Sequence, residues 1–215
     1  MDRSRVAIVI PALNEAGTIA DVVRSASSYG LPIVVDDGST DDTAELARQA
    51  GAAVVSNERN LGYDAALNSG FKHAAGLGSE IIVTADADGQ HDPSLIRKFV
   101  DAIDAGADVV VGIRSRRQRL GEHLFAWYAK TTFGIEDPLC GMKAYRRTVY
   151  DALGHFDSHG SVGTELAIFA AKRKFRISQI RFEVRERKGQ SRFGQTLAGN
   201  YKIVRAMLLT ALFVK

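Results

Sequence analysis

The stretch Ile81-Ile-Val-Thr-Ala-Asp86-Ala-Asp88-Gly-Gln90-His91-Asp92-Pro93 passes from an apolar run through an acidic turn to a helix start. Residues 81–85 are apolar or small, as suits a strand covered on both faces. Asp92 stands where an N-cap carboxylate would accept free backbone amides, and Pro93 suits the first helical position, whose N–H needs no partner. A helix is therefore expected over 93–104. A strand that feeds a helix through a short turn is the building unit of a parallel sheet.

The same alternation extends in both directions. Short runs at 6–10, 33–36, 53–56 and 109–112, mostly β-branched or Ala, read as further strands, and helical patterns fall at 18–28, 40–50 and 63–75. The helix over 40–50 follows Ser39 and carries acids in its first turn, where they complement the helix dipole. The fold class is therefore α/β, a Rossmann-like, mostly parallel sheet flanked by helices. In such sheets ligands bind beyond the carboxyl ends of the strands. Strand one leads into Pro11-Ala12-Leu13-Asn14-Glu15, strand two into Asp36-Asp37-Gly38-Ser39, and strand four into Asp86-Ala87-Asp88. Three polar or acidic clusters thus converge on one edge.

The second half is less regular. It reads as a basic loop at 114–119, a helix at 120–133, a short strand at 141–145, a helix at 161–174 and a strand at 177–184. A basic, glycine-containing loop at 185–193 and a C-terminal helix at 197–214 follow. The chain has 215 residues, 46% of them hydrophobic and 25% charged, which suits one sizeable domain with a core that needs no disulfides. Its single cysteine, Cys140, fits a reducing compartment, and the opening lacks the pattern of a secretory signal, so a cytoplasmic location is expected. Net charge is +3 but unevenly placed: from Lys172 to Arg192 nine Lys/Arg face two Glu. Such a block is a solvated face or the mark of a phosphate-rich partner. The small overall excess and the few interleaved aromatics argue against a nucleic-acid binder.

Asp86 and Asp88 sit two apart at a strand end, where the period of two would aim both side chains the same way. Two carboxylates ~5 Å apart repel by roughly 3 kcal/mol at an effective dielectric near 20, so the pair calls for a cation. Mg²⁺ or Mn²⁺ suits it, because hard cations take carboxylate and amide oxygens and leave positions for substrate phosphates; Gln90 would add an amide oxygen. Taken alone, the tripeptide reads equally well as a solvated turn whose acids cap the next helix. His91 reads as a packing or hydrogen-bonding residue rather than a ligand.

In combination the motifs are far more specific. Ile10-Pro-Ala-Leu-Asn-Glu15, Val35-Asp-Asp-Gly-Ser-Thr-Asp41, Asn60-Leu-Gly-Tyr-Asp-Ala-Ala66 and Asp86-Ala-Asp-Gly-Gln-His-Asp-Pro93 follow in this order. Together they closely resemble family 2 glycosyltransferases of the GT-A fold, with the D-x-D-x-Q-H form most similar to the dolichyl/polyprenyl-phosphate sugar synthase branch. The resemblance implies a GT-A catalytic domain over 1–194, with a nucleotide-binding half (1–115) and an acceptor-side half (116–194). A C-terminal helix, 195–215, would be amphipathic or packing. It further implies that Pro11, Ala12, Leu13, Asn14, Glu15, Asp36, Asp37, Asp86 and Ala87 hold the nucleotide, and that Asp86, Asp88 and Gln90 position a divalent metal on the diphosphate. Arg114 falls near the sugar phosphate. Asp137-Pro-Leu-Cys-Gly-Met-Lys143 resembles the segment lining the acceptor side, and Glu165 falls where the family carries an acid. Arg187-Lys188-Gly-Gln-Ser191-Arg192 resembles a basic phosphate-engaging loop. In this sequence Glu186 occupies the expected arginine position, three residues before the glycine, flanked by Arg185 and Arg187.

The chemistry expected is transfer of a sugar from a nucleoside-diphosphate sugar, UDP-linked first and GDP-mannose second, with inversion. Asp88 and Arg114 would serve the departing diphosphate. A hydroxyl acceptor would need a general base, with Glu165 and Asp137 the candidates. A polyprenyl phosphate is already an anion and would need cations instead, which Lys143, Arg185, Arg187, Lys188 and Arg192 could supply. Glu165 reads equally as compensation of its helix dipole. Arg116, Arg117 and Arg119 read as a solvated loop, and Trp127, Tyr128 and Phe133 as core or interface. Residues 206–214 are apolar but too short to span a bilayer, which takes ~20 residues. That helix would pack on the domain or a second subunit, or lie with the basic loop on the inner face of a membrane. A metal-dependent sugar nucleotidyltransferase is the alternative, against which stands the absence of Lys or Arg from Pro11–Glu15.

Overall fold

A computed structural model describes residues 2–115, 119–184 and 197–213. Seven strands form one sheet: β1 (Val6–Ala12), β2 (Leu31–Asp36), β3 (Ala53–Ser56), β4 (Ile81–Thr84), β5 (Val109–Arg114), β6 (Lys143–Arg146) and β7 (Ile177–Phe182). Their spatial order is β3-β2-β1-β4-β6-β5-β7. All neighbouring pairs are parallel except those of β6, which runs antiparallel to both β4 and β5. The helices are α1 (Ile19–Ala26), α2 (Thr43–Gln49), α3 (Tyr63–Gly76), α4 (Ser94–Asp104), α5 (Leu120–Phe133), α6 (Arg147–Leu153), α7 (Glu165–Lys172) and α8 (Leu197–Phe213).

Side-chain alternation along β1 divides the core. Ala7 and Val9 join Phe71, Phe125, Leu166 and Ile203 on one face, from α3, α5, α7 and α8. Val6, Ile8 and Ile10 join Ile19, Val23, Leu95 and Phe99 on the other, from α1 and α4. A sheet buried on both faces needs strands that are apolar throughout, which is why β1, β2 and β4 carry almost no alternation. Gly70 lets α3 lie close: a Cβ there would meet a Val9 methyl at 2.3 Å.

Several boundaries differ from the sequence reading, each for a local reason. Strand β4 stops at Thr84, one residue short of 85, because the chain bends into the acidic turn. Strand β5 runs on to Arg114, paired with Phe182 of β7, so the arginine ends the strand rather than following it. Strand β6 begins at Lys143 instead of 141, and α7 begins at Glu165 instead of 161, because residues 155–164 form a loop held by side chains. Helix α6 was not expected. It has seven residues and one buried side chain, Val149, so it shows no amphipathic period; its trace in sequence is Gly154, which closes it in the left-handed conformation.

Helix α8 buries Ile203, Ala206 and Thr210 and leaves Tyr201, Leu208 and Leu212 exposed. It packs on α5, where the Gly121 amide donates to Asn200 Oδ1 at 3.1 Å, so one face of this helix does serve the domain. Among the described residues no helix is long and apolar enough to cross a membrane. Tyr128 and Phe133 pack against the core, edge to face at 5.7 Å, whereas Trp127 is 65% exposed and belongs to no core.

Candidate active site

Parallel register brings the carboxyl ends of β1, β2, β4 and β5 to one edge, and antiparallel β6 starts from that edge, Lys143 opposite Thr84 and Val111. Pro11–Glu15, Asp36–Asp37, Asp86–Gln90, Arg114 and 137–143 therefore meet there.

The first two clusters form a polar frame. Asn14 adopts φ +48°; its amide donates to Ser39 Oγ (2.9 Å) and its Oδ1 accepts the Thr40 amide (2.8 Å). A left-handed turn suits asparagine because its short side chain bonds nearby backbone. The Glu15 amide donates to Thr43 Oγ1 at 2.7 Å, tying the same turn to α2. Asp36 Oδ1 accepts the Ser39 amide at 3.2 Å. Asp37, buried, accepts three donors: Asn57 Nδ2 (2.8 Å), the Leu61 amide (2.9 Å) and the Gly62 amide (2.8 Å). Its carboxylate thus secures the loop that leads into α3. Gly38, at φ +76°, allows the approach of that loop, since a Cβ would lie 2.6 Å from the Arg59 carbonyl carbon.

Asp86 and Asp88 lie beyond the end of β4, Asp86 just before a turn and Asp88 within it. Gly89 has φ +72°, Asp88 Oδ1 accepts the Gln90 amide at 3.0 Å, and Thr18 Oγ1 donates to the Ala87 carbonyl at 2.8 Å. The Asp86 carboxylate rests directly over Gly141, where a Cβ would meet both of its oxygens at 2.6 Å. Thr84 locks the two segments together: its hydroxyl donates to the Gly141 carbonyl (2.6 Å) and accepts the Lys143 amide (3.0 Å). His91 combines two roles. Its ring meets Phe182 edge to face at 5.5 Å while Nε2 lies 3.6 Å from Asp86 Oδ2, and Nδ1 is buried without a partner among the described residues.

This donor set suits a hard divalent cation that shares its coordination with a ligand. Asp86 keeps 33% of its side chain exposed, and Asp88 and Gln90 follow in the same turn. Among the described residues no group of three or more His, Cys, Asp or Glu forms a closed cage. Mg²⁺-type sites use one or two carboxylates and complete their shell with substrate phosphates and water.

On the far side of the edge, Arg114 and Asp137 face one another. Arg114 Nε donates to Oδ2 (2.8 Å), its terminal nitrogen to Oδ1 (2.9 Å), and its backbone amide to Oδ2 (3.1 Å). Burial alone would lower the arginine's pKa, but the bonds and charge of Asp137 outweigh it and raise the value. The same guanidinium lies 3.4 Å from buried Glu122, which Arg119 also holds at 3.0 Å. Lys143 is buried, and its ammonium donates to the carbonyls of Cys140 (2.6 Å) and Gly163 (3.1 Å). Burial lowers its pKa, partly offset by charges that include Asp137 and Asp86. Burial also pushes the Cys140 thiol up to about 12, which leaves it inert as a nucleophile.

Glu165 opens α7 and reaches back into the preceding loop. It accepts the Ser158 amide (2.5 Å), the Ser158 hydroxyl (2.9 Å) and His155 Nε2 (2.9 Å). Burial alone would raise its pKa, but these bonds outweigh it and hold the carboxyl below the usual range. The residue that sequence reasoning missed is Asp64, in the first turn of α3. Burial, reinforced by the charge of Asp157, pushes its carboxyl up to about 6. Its only trace in the sequence is its place in the Asn60–Ala66 motif, where it reads as an ordinary helix-dipole acid. Arg185, Arg187, Lys188, Ser191 and Arg192, together with Arg116 and Arg117, lie outside the described residues.

An open α/β sheet with acidic turns at its carboxyl edge and an antiparallel strand returning a lysine to that edge defines a GT-A-type protein. The chain belongs to glycosyl transferase family 2, whose pattern matches residues 7–163. It is 33% identical over 209 residues to undecaprenyl-phosphate 4-deoxy-4-formamido-L-arabinose transferase of Edwardsiella ictaluri (strain 93-146), covering 88% of this chain and 63% of that protein. The chain thus spans less than two-thirds of that relative. Among solved structures it is similar to glucosyl-3-phosphoglycerate synthase from Mycobacterium tuberculosis in complex with Mn²⁺ and UDP-glucose. That likeness has TM-score 0.77 and 27% identity, over 100% of this chain and 80% of that one. The same enzyme in complex with Mg²⁺ and UDP gives TM-score 0.75 at 25% identity, over 100% and 81% of the two chains.

Proposed function

We propose that this protein is a glycosyltransferase that takes a sugar from a nucleoside-diphosphate donor, UDP-linked, and passes it to a polyprenyl phosphate. The observation that carries the reading is the meeting of Asp86, Asp88 and Lys143 at the sheet edge, between the turns after β1 and β2 and the Arg114–Asp137 pair. Relatives that bind UDP with Mn²⁺ or Mg²⁺ support the choice of donor and metal, and the polyprenyl-phosphate relative supports the acceptor. GDP-mannose is the second donor to test.

In this reading Pro11–Glu15, Asp36, Asp37, Asp86 and Ala87 shape the nucleotide site, with Asp37 acting through the loop it secures. Asp86, Asp88 and Gln90 hold the divalent metal, which when bound stabilises the charge that grows on the departing diphosphate. Lys143 and Arg114 add hydrogen-bond donors to the same edge. Attack from the opposite face inverts the anomeric carbon. Residues 1–115 form the donor half, 116–194 the acceptor half, and the C-terminal helix completes the domain.

The two base candidates favour a phosphate acceptor over a hydroxyl. Asp137 is engaged by Arg114, and Glu165 by Ser158 and His155, so both carboxylates are committed to partners within the protein. A phosphate needs no base, only cations to hold it. A peripheral position on an anionic membrane surface follows from such an acceptor. Flotation with anionic liposomes tests it: co-flotation is expected, and protein left at the bottom removes the membrane part of the proposal.

The donor assignment is tested by thermal shift with UDP, GDP, CMP and dTDP, each with and without Mn²⁺. A ligand at a hundredfold excess over its dissociation constant stabilises by about 2.7 kcal/mol. UDP with Mn²⁺ is expected to shift the protein most, and no shift with any nucleotide would end the reading.

A further inference from the structure

Between α6 and α7 the chain makes an unusual loop. Val162 has φ +56° and Gly163 φ +69°. Glycine adopts this region freely, but a β-branched residue does so only where surrounding structure imposes it, at a cost on the order of 1–3 kcal/mol. What imposes it comes from far away in sequence. The carboxylate of Asp64 accepts the Val162 amide on Oδ2 (3.1 Å) and the Gly163 amide on Oδ1 (2.6 Å), across 98 and 99 residues. One carboxylate thus clamps two successive amides of the left-handed pair.

The consequence lies in the next peptide, across the Gly163 Cα. The Gly163 carbonyl accepts the ammonium of Lys143 at 3.1 Å, and the Cys140 carbonyl accepts it at 2.6 Å. A buried ammonium needs its three donors engaged. Here two carbonyls seat it, and the Gly163 carbonyl takes its place from the clamped Val162–Gly163 backbone on one side and from Ser161 Oγ, which accepts the Thr164 amide at 3.2 Å, on the other. The Tyr63 ring approaches this backbone closely, since a Cβ on Gly163 would sit 3.1 Å from it.

We propose that Asp64 is a positioning residue for Lys143: by clamping the Val162 and Gly163 amides it fixes the Gly163 carbonyl that seats the buried ammonium at the sheet edge. The functional meaning of this relay rests on the glycosyl-transfer reading, but the mechanical link does not. In D64N the side chain keeps one acceptor and turns an NH₂ donor toward the other amide, so half of the clamp is lost.

The test measures how fast Lys143 reacts with formaldehyde and cyanoborohydride in the intact protein, residue by residue by mass spectrometry. Lys143 in the wild type is expected to react slowly, and D64N to raise its rate about tenfold, with Lys72 and Lys98 unchanged. V162G should then reverse the effect in the D64N background, because a glycine sits left-handed without a clamp. N68A is the control for general loosening. Asn68 holds the Phe156 and Asp157 amides of the same loop (2.8 and 3.2 Å) but does not touch residue 163. It should leave Lys143 slow.

If D64N does not fold, D64E carries the test, since its extra methylene displaces the same two oxygens; faster labelling than wild type is again expected. Unchanged Lys143 reactivity in the folded Asp64 variant, failure of V162G to reverse it, or equal exposure in N68A would each overturn the relay. A second arm uses a UDP-sugar that the wild type hydrolyses: D64N should lower kcat about tenfold with KM within about threefold. A wild type that neither binds nor hydrolyses any UDP-sugar would defeat the function proposed above while leaving the labelling result to decide the relay.

Discussion

The carboxyl edge of the sheet and the loop between α6 and α7 are built in opposite ways. At the sheet edge, parallel strands deliver each cluster and short polar turns finish it: Asn14 reaches Ser39 and Thr40, and Asp37 reaches Asn57, Leu61 and Gly62. Residues 155–164 have no sheet to lean on. They are held by Asn68 and Asp64 from α3, some 90 residues earlier, and by Glu165 behind them. The first arrangement fixes a site through the fold itself. The second makes it depend on a few individual side chains, so single substitutions should hurt stability more in the loop and binding more at the sheet edge.

The largest stability effect is expected at Asp137. Removing it leaves Arg114 without its two-pronged partner, and breaking such a pair costs about 3–5 kcal/mol. Urea denaturation of D137A should show this loss, while D88A should lose less than about 1 kcal/mol. Equal losses would mean that the Arg114–Asp137 pair carries no more stability than the acidic turn. N68A comes next, at about 2 kcal/mol, because three hydrogen bonds to residues 156 and 157 go at once. Its affinity for UDP with Mn²⁺, read by calorimetry, should stay within about threefold of wild type; a larger change would mean that the loop supports the donor side too.

The third effect concerns pH. Asp64 has a folded pKa of about 6, above its unfolded value of 3.8, so the folded state holds the extra proton in that interval. Its contribution is therefore fully present below the unfolded value and is lost as pH rises through about 6. Between pH 4 and pH 7.5 the wild type should lose about 1–3 kcal/mol relative to D64N, as read from denaturation midpoints. A constant difference would mean that Asp64 titrates normally. A small effect is also expected for T18V, which removes the bond to the Ala87 carbonyl. About 1 kcal/mol of stability should go, with a few-fold weaker UDP–Mn²⁺ binding by calorimetry; unchanged binding would detach α1 from the acidic turn.

The same contrast decides what could be read from the sequence. The convergence of the acidic clusters on one sheet edge was legible because strand, acidic turn and helix are contiguous, and Asp36, Asp37, Asp86 and Asp88 stand inside that pattern. Even there the strand falls short of the acidic pair, since β4 ends at Thr84 and both carboxylates lie beyond it. Lys143 and Arg114 were found through motif resemblance, but not that Asp137 would claim the arginine. Asp64 was missed because its partners lie 98 residues downstream, a distance over which no local pattern carries information. The antiparallel course of β6 is hidden for a related reason: a four-residue strand shows no direction in its side chains.

The central claim is that Asp86 and Asp88 hold a divalent metal on the diphosphate of a bound nucleotide. The most direct measurement is calorimetric titration of UDP into wild type and D88N, each with and without Mn²⁺. The account predicts that Mn²⁺ tightens UDP binding to the wild type at least about tenfold, and that D88N binds UDP equally with or without the metal. Metal-dependent tightening that persists undiminished in D88N would contradict it.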